Sequence, residues 1–407
     1  MTTWSVVKDD TGEKRWGWLA PRFLPRFALL ACIALVVVGL GVALLPPSPQ
    51  PPAEPPFSEQ ARASALTETL RLRAAGEQLG SSASGAGRTA LAQTVTLLTG
   101  QARALLSPGQ TAPVFPSGMA AQSSSAAPDG PTPAAQPPTG ATSSPPVPLP
   151  DSSARLATAL AASGSQRIAD ATEADGGMAR LLAAVGTAQL LQASSLAAAT
   201  GVPAPPQADP VPPELSGACP GPVASASAGS ASVGSGPVAS ASPSGGGAGG
   251  GATVTQALGA AVRTELQSVY AYQLALTRLG GEPAKAAAAQ LARHVALLSG
   301  AESLSLRHCI SPPPREAGYS LAPSFLAAPG AALAGLETSA LPVYGDLVAL
   351  SEGETRRWAI SALLQTARGA AGWGAQPGPL PGLPADVESF PPLPVPPTPT
   401  STPTSGG

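Results

Sequence analysis

The segments that join four helical stretches between residues 253 and 375 restrict how this part of the chain can fold. Apolar periodicity predicts helices over 253–280, 283–308, 329–350 and 352–374. Only a few residues join the first helix to the second and the third to the fourth, so each pair forms an antiparallel hairpin. About twenty residues separate the hairpins and reach about 60 Å when extended, enough to cross a bundle. Short, long, short connections predict a four-helix bundle with one crossover.

An acidic residue lies in the apolar stripe of the first and of the third helix. At about 100° per residue, Glu265 and Glu337 both face the predicted core. Tyr272 follows Glu265 by seven residues, and Tyr344 follows Glu337 by the same spacing. Because a lone buried carboxylate is costly, these side chains need polar partners. His294, at the edge of the apolar stripe of the second helix, completes a candidate cluster of five residues.

Several short motifs resemble those of a known family. They are T-E-L-Q-S-V-Y-A-Y at 264–272, A-R-H at 292–294, G-L-E at 335–337 with Tyr344, and R-R-W and G-W-G in the fourth helix. Over residues 253–385 the chain resembles the actinobacterial ferritin-like domain family of unknown function. The resemblance implies a ferritin-like four-helix bundle at 253–375 and gives no established activity.

The di-iron ligand set of ferritin-like proteins is incomplete here. Such proteins use one Glu from each of two helices and Glu-x-x-His from each of the other two. Glu265 and Glu337 match the lone positions, but Leu291 stands where a Glu would precede His294. The fourth helix has no Glu, Asp or His from Thr355 to Trp373. Two interpretations stay open: a structural polar cluster, or a site for a single metal ion or small ligand. We assign no catalytic residue.

A run of 19 uncharged residues at 27–45 predicts a transmembrane helix, since it spans about 28 Å. Five basic residues precede it and none follows until Arg62, so residues 1–26 are predicted to be cytoplasmic. The rest of the chain is then extracytoplasmic, in a single-pass protein of the cell membrane. A cleaved signal peptide and a lipoprotein modified at Cys32 are the alternatives. The run is long for a signal peptide, and no A-x-A site precedes Pro46.

Blocks rich in Pro, Gly, Ser and Ala divide the remaining chain, and the full sequence contains 49 Pro and 45 Gly. Such blocks bury too little apolar surface to offset the entropy of ordering them. We predict helical hairpins at 57–106 and 151–200, which form either an Ala-rich spacer or a partner-binding stalk. The predicted spacers are a Pro-rich segment at 46–56, disordered linkers at 107–150 and 201–252, and a Pro/Thr-rich disordered tail at 376–407.

The placement of two cysteines predicts a disulfide bond beyond the membrane anchor. Cys219 and Cys309 both lie beyond the predicted anchor, where a disulfide persists. Free thiols or an intermolecular link are the alternatives.

Charge and motifs limit the functional classes that fit the sequence. With a net charge of −2 and 11% charged residues, the chain has no stripe of basic residues that would bind nucleic acid. With no catalytic triad or C-x-x-C motif, the all-α chain is predicted to be a non-catalytic binding or cell-envelope protein of unknown partner. The alternative is a single-metal or redox protein that uses Glu265, His294 and Glu337.

Overall fold

The computed structural model of the protein describes residues 54–106, 148–207 and 252–393, with isolated residues at 29, 32–36, 213, 215 and 219. The described residues are all-helical and contain no strand. From residue 57 onward they form α1 (Phe57–Ser82), α2 (Gly85–Leu105), α3 (Ser153–Glu173), α4 (Gly176–Thr200), α5 (Val254–Leu276), α6 (Gly281–Arg307), α7 (Pro329–Leu350), α8 (Gly353–Gly372) and a short 3-10 turn, Val387–Ser389.

The ends of the helices follow local capping chemistry. Thr253 and Gln256 form a capping box at the start of α5, in which each side chain accepts from the other residue's backbone N–H. At the start of α8, Ser351 and Glu354 have the sequence spacing of a capping box but do not form one. Gly353, the first residue of α8, has a positive φ of 56° and follows two residues in extended conformation. The Ser351 hydroxyl instead donates to the Leu347 carbonyl at the end of α7, at 2.5 Å.

Helices α5 to α8 form the C-terminal quartet, in which α5 packs beside α6 and α7, and α8 packs beside α7 and α6. Hydrogen bonds join Tyr272 to Glu337 and Tyr344 to Glu265. In each helix the tyrosine follows the glutamate and meets the glutamate of the other helix, so α5 and α7 are antiparallel. Because α5 and α6 form a hairpin, α6 is parallel to α7. Residues 308–328 must therefore run from one end of the quartet to the other.

Helices α1 to α4 form the N-terminal quartet, which has the same neighbour pattern. The backbone N–H of Asp175, at the end of α3, donates to Ser58 at the start of α1. The Gln189 amide donates to Gln101 Oε1 at 3.0 Å, between α4 and α2. Both pairs of helices are antiparallel, so the end of α2 and the start of α3 lie at opposite ends of the quartet. The two quartets repeat one connectivity.

One apolar core joins the two quartets, and the described residues from Pro56 onward belong to a single compact unit. Leu182 and Val185 of α4 belong to the same buried cluster as Leu341 and Leu347 of α7. Glycine allows close approach within the N-terminal quartet: a Cβ at Gly186 of α4 would lie 2.7 Å from a backbone oxygen of α3. The 57–106 and 151–200 segments are thus packed against the C-terminal quartet, which composition alone did not indicate.

The apolar composition of α4 reflects its central position. Among the described residues it is the one helix whose length and composition would allow it to cross a membrane, yet 67% of its apolar window is buried in the protein. The predicted anchor at 27–45 falls almost entirely outside the described residues. Of that segment, Leu29 and residues 32–36 are described, and they are helical and exposed.

Residues 376–393, which we name the C-terminal strap, pack against the helices although the sequence placed them in a disordered tail. Arg180 Nε donates to the Gly382 carbonyl at 2.9 Å, and Gln101 Nε2 donates to the Pro379 carbonyl at 3.0 Å. Leu380 is buried. Side chains of α2 and α4 thus satisfy strap carbonyls that a Pro-rich segment cannot pair within itself. Composition does not reveal this contact.

The predicted disulfide is present between Cys219 and Cys309, whose Cα atoms lie 5.2 Å apart. Cys309 lies directly after α6, and its bond connects the segment before α5 to the end of the first hairpin. The bond closes a loop with a sequence separation of 90 residues. It therefore constrains the whole first hairpin of the C-terminal quartet.

Candidate functional site

The five residues predicted to form a polar cluster meet at the centre of the C-terminal quartet. Helix α5 supplies Glu265 and Tyr272, α6 supplies His294, and α7 supplies Glu337 and Tyr344. Both tyrosines and Glu265 have no solvent exposure, and the exposed fractions of Glu337 and His294 are 1% and 3%. The cluster is thus enclosed by protein.

His294 lies between the two carboxylates. Its Nδ1 is 2.8 Å from Glu265 Oε2, and its Nε2 is 3.0 Å from Glu337 Oε1. A neutral imidazole has only one N–H, so only the doubly protonated ring can donate both hydrogen bonds. The geometry therefore assigns an imidazolium cation to His294, held by two charge-assisted hydrogen bonds.

Each tyrosine binds the carboxylate of the opposite helix. The Tyr272 hydroxyl donates to Glu337 Oε1 at 2.5 Å, and the Tyr344 hydroxyl donates to Glu265 Oε1. Equal seven-residue spacings on two antiparallel helices place each phenol beside the other helix's acid. The repeated spacing in the sequence is thus the origin of the paired arrangement.

Trp373, at the end of α8, extends the cluster and was missed as a functional residue. Its Nε1–H donates to the Tyr272 oxygen at 2.7 Å. Its ring centroid lies 6.3 Å from that of Tyr272, which in turn lies 4.9 Å from that of His294. Trp358 of α8 stands 6.2 Å from Tyr344 in an edge-to-face contact. The available signal was that both tryptophans of this region lie within residues 355–373, the part of the predicted fourth helix that has no acidic residue.

Gly369 of α8 makes room for Glu337. A Cβ at this position would lie 2.8 Å from Glu337 Oε1 and 3.0 Å from Glu337 Cδ. Real Cβ atoms essentially never approach heavy atoms at 2.8 Å, so a side chain here would displace the carboxylate. Helix α8 thus leaves room for the Glu337 carboxylate, at a position where a helix that bears metal ligands would place a side chain.

We expect Gly369→Ala to destabilise the protein by about 1–3 kcal/mol, because the added methyl group overpacks the cluster. Urea unfolding of the full chain measures the effect. Gly335→Ala is the matched control, since Gly335 lies in α7 and has no atom near its missing Cβ. That substitution is expected to be neutral or to stabilise by up to ~1 kcal/mol through helix propensity. Equal effects of the two substitutions would contradict the spacing role of Gly369.

The cluster shifts the protonation of its members. Burial alone would lower the pKa of His294, but the charges and hydrogen bonds of Glu265 and Glu337 outweigh burial and raise that pKa to about 10. Burial and the nearby carboxylates raise the pKa of Tyr272 and of Tyr344 above the usual value for a phenol. His294 therefore carries its proton, and the tyrosines keep theirs, throughout the neutral range.

These shifts predict a loss of stability in alkali. The folded-state pKa of His294 is about 10 and its ordinary value is 6.5, so between these values the folded state holds a proton that the unfolded state has released. The contribution is complete below pH 6.5 and is lost as the pH rises toward about 10. We expect the free energy of unfolding to fall by up to ~1.4 kcal/mol per pH unit within this window. Urea unfolding at stepped pH measures it, and parallel profiles for wild type and His294→Gln would contradict it.

A narrow cleft at the surface between α6 and α8 reaches the cluster but leaves no room for a water molecule. Its lining residues are Gln290, Arg293, His294, Leu297, Glu337, Gln365 and Thr366. Glu337 Oε2 is buried and has no hydrogen-bond partner among the described residues. This oxygen is the one carboxylate atom of the cluster that no donor satisfies.

The arrangement of these side chains does not fit the di-iron centre of ferritin-like proteins. Both nitrogens of His294 are bound to carboxylate oxygens, so neither offers a free lone pair. Helix α8 presents Gly369 to the cluster instead of a ligand. Within the described parts of the chain, no group of three or more His, Cys, Asp or Glu side chains is placed to hold a metal ion. The cluster as built is a hydrogen-bonded ion network.

Comparison with known proteins identifies the C-terminal part of the chain. Residues 257–385 match the family described as Domain of unknown function (DUF4439). The match covers α5 from residue 257 onward, α6 to α8, and residues 376–385 of the C-terminal strap. No similar curated protein and no similar solved structure was found.

Proposed function

We propose that the protein is a membrane-tethered, extracytoplasmic protein whose ferritin-like bundle has a non-catalytic binding or cell-envelope role. The observation that carries this proposal is the position of His294, whose two ring nitrogens lie within hydrogen-bond distance of Glu265 and Glu337. A proton-bearing ring supplies the positive charge that a metal ion would supply in a di-iron bundle. The bundle then serves as a scaffold with a closed interior. Its outer surface and the segments that attach it to the membrane carry the function.

The ferritin-like assignment is supported by connectivity and by the inward carboxylates. Helices α5 and α7 are antiparallel neighbours, and a long segment follows the first hairpin. Each of these two helices directs one Glu into the core. These are the positions at which the sequence matches the lone Glu ligands of ferritin-like proteins, while the positions of the other ligands are changed.

The extracytoplasmic location is supported by the disulfide between Cys219 and Cys309. Disulfides persist in oxidising compartments and are rare in the cytosol. The uncharged run at 27–45, preceded by basic residues, gives the chain its proposed anchor and orientation. A tag after residue 407 should react with a membrane-impermeant reagent in intact cells, and protection of the tag would overturn this orientation.

A single-metal protein is the second candidate, and the unpaired Glu337 Oε2 is the observation that favours it. For His294 to bind a metal, it would have to release at least one of its two carboxylate partners. We therefore expect the full chain, purified natively after growth with added iron, manganese and zinc, to contain less than about a tenth of an ion per chain. Stoichiometric metal that disappears in the Glu265→Ala, Glu337→Ala double variant would establish the second candidate and overturn the first.

A further inference from the structure

Oxidisable aromatic rings lead from the surface into the buried cluster. Trp373 is only partly buried, whereas Tyr272 is fully buried. The indole Nε1–H donates directly to the Tyr272 oxygen at 2.7 Å, and the two ring centroids are 6.3 Å apart. An electron can therefore pass from the buried phenol to the outer indole over one hydrogen-bonded contact.

The inner ring has a fixed proton acceptor. Tyr272 donates its hydroxyl proton to Glu337 Oε1 at 2.5 Å, in a site that excludes water. A phenol that loses an electron becomes a strong acid, so its proton has to leave at the same time. Glu337 can take that proton without moving, because donor and acceptor already share a short hydrogen bond. A structural polar cluster alone would not require an indole donor at the surface.

We propose that the Trp373, Tyr272 and Glu337 relay takes up oxidising equivalents that reach the protein surface from small oxidising radicals. The radical removes one electron from Trp373 and is itself reduced to its anion. Tyr272 then returns one electron to the Trp373 radical cation, and its hydroxyl proton passes to Glu337 Oε1. The products are an intact indole, a neutral tyrosyl radical and a protonated Glu337, so charge, protons and electrons balance.

A mirrored set of residues lies on the other side of His294. Tyr344 donates to Glu265 Oε1, and Trp358 contacts Tyr344 at 6.2 Å between centroids. Trp358 is buried, with an exposed fraction of 1%, so this second pair has no surface ring at which a radical in solution could react. The entry point is therefore Trp373. The relay goes beyond the proposed scaffold role and needs no metal ion.

Pulse radiolysis with azide radicals tests the relay in the full chain. Trp4, Trp16 and Trp18 are replaced by Phe so that Trp373 is the reacting indole. We expect the tryptophanyl radical absorbance to decay as the tyrosyl absorbance rises, at a rate independent of protein concentration. Tyr272→Phe is expected to remove that rise and to lengthen the tryptophanyl lifetime about tenfold or more. Tyr270→Phe is the matched control and should leave the transfer unchanged.

Two further measurements separate proton acceptance from packing. Glu337→Gln keeps a hydrogen-bond acceptor but cannot take up the proton, so the transfer is expected to slow about tenfold. The transfer should also slow in D2O in the parent protein, which carries only the three Trp→Phe replacements. This measurement does not depend on whether a further variant folds. Identical tryptophanyl decay in the parent and Tyr272→Phe, or no slowing in D2O, would overturn the proposal. The scaffold role is tested by metal content, which these kinetic measurements do not depend on. Failure of the relay can therefore be distinguished from failure of the scaffold role.

Discussion

His294→Ala is expected to destabilise the protein by about 3–5 kcal/mol, because it removes the one cation between two buried carboxylates. The substitution leaves Glu265 and Glu337 with their tyrosine donors but without a compensating charge. Like charges in a dry site repel strongly and cannot recover their hydration. The cost therefore exceeds that of deleting an ordinary buried side chain of similar size.

Urea unfolding of the full chain, with His294→Ala beside the parent protein, measures this cost. Lys285→Ala is the control, since it removes a cation from an exposed ion pair with Glu282 and should change stability by less than about 0.5 kcal/mol. The deficit of His294→Ala is expected to shrink in acid, where protonation of a carboxyl group removes the repulsion. A deficit that stays constant from neutral to acidic pH would show that lost packing, and not charge, causes the destabilisation.

Loss of the disulfide is expected to have an effect of similar size. Cys219 and Cys309 are separated by 90 residues, and the chain-entropy treatment assigns about 4–5 kcal/mol to a loop of that length. Cys309→Ser, or reduction of the parent protein, should lower the free energy of unfolding by this amount. Cys32→Ser is the control, because Cys32 is an exposed free thiol.

Alkylation provides an independent check on the bond. In the Cys32→Ser protein, no thiol should react without reductant after denaturation, and two should react after reduction. Two reactive thiols without reductant would exclude the intramolecular bond. A dimer that disappears on reduction would instead indicate an intermolecular bond.

The sequence predicted the cluster because its determinants are periodic. The seven-residue spacings of Glu265 to Tyr272 and Glu337 to Tyr344 lie within single helices, where 3.6-residue periodicity fixes the face of each side chain. Loop lengths then predicted which helices face each other. The short connection between the first two helices then predicted that His294 lies near Glu265.

Other residues of the site depend on contacts that helical periodicity does not predict. Gly369 has no side chain to place in a stripe, and its role is visible only from its distance to Glu337. Trp373 lies after the last turn of α8, so helical periodicity does not assign it a face. The bridging use of both His294 nitrogens likewise follows from the three-dimensional spacing of the two carboxylates.

Packing of the N-terminal quartet was hidden for a different reason. Its buried surface is largely Ala, Leu and Gly, and such a pattern fits a loose spacer as well as a tight interface. Gly164 and Gly186 allow α3 and α4 to approach at backbone distance, which alanine-rich composition does not specify. The C-terminal strap was missed because its anchors are backbone carbonyls held by Arg and Gln side chains of distant helices.

The repeated connectivity of the two quartets has a consequence for their response to alkali. At the position of the N-terminal quartet where helices α2 and α4 exchange a buried polar contact, the partners are the amides of Gln101 and Gln189. Amides do not titrate, whereas the buried cluster of α5, α6 and α7 in the C-terminal quartet depends on the single proton that His294 retains between two carboxylates. Raising the pH should therefore weaken the packing around His294 before it affects the contact between Gln101 and Gln189.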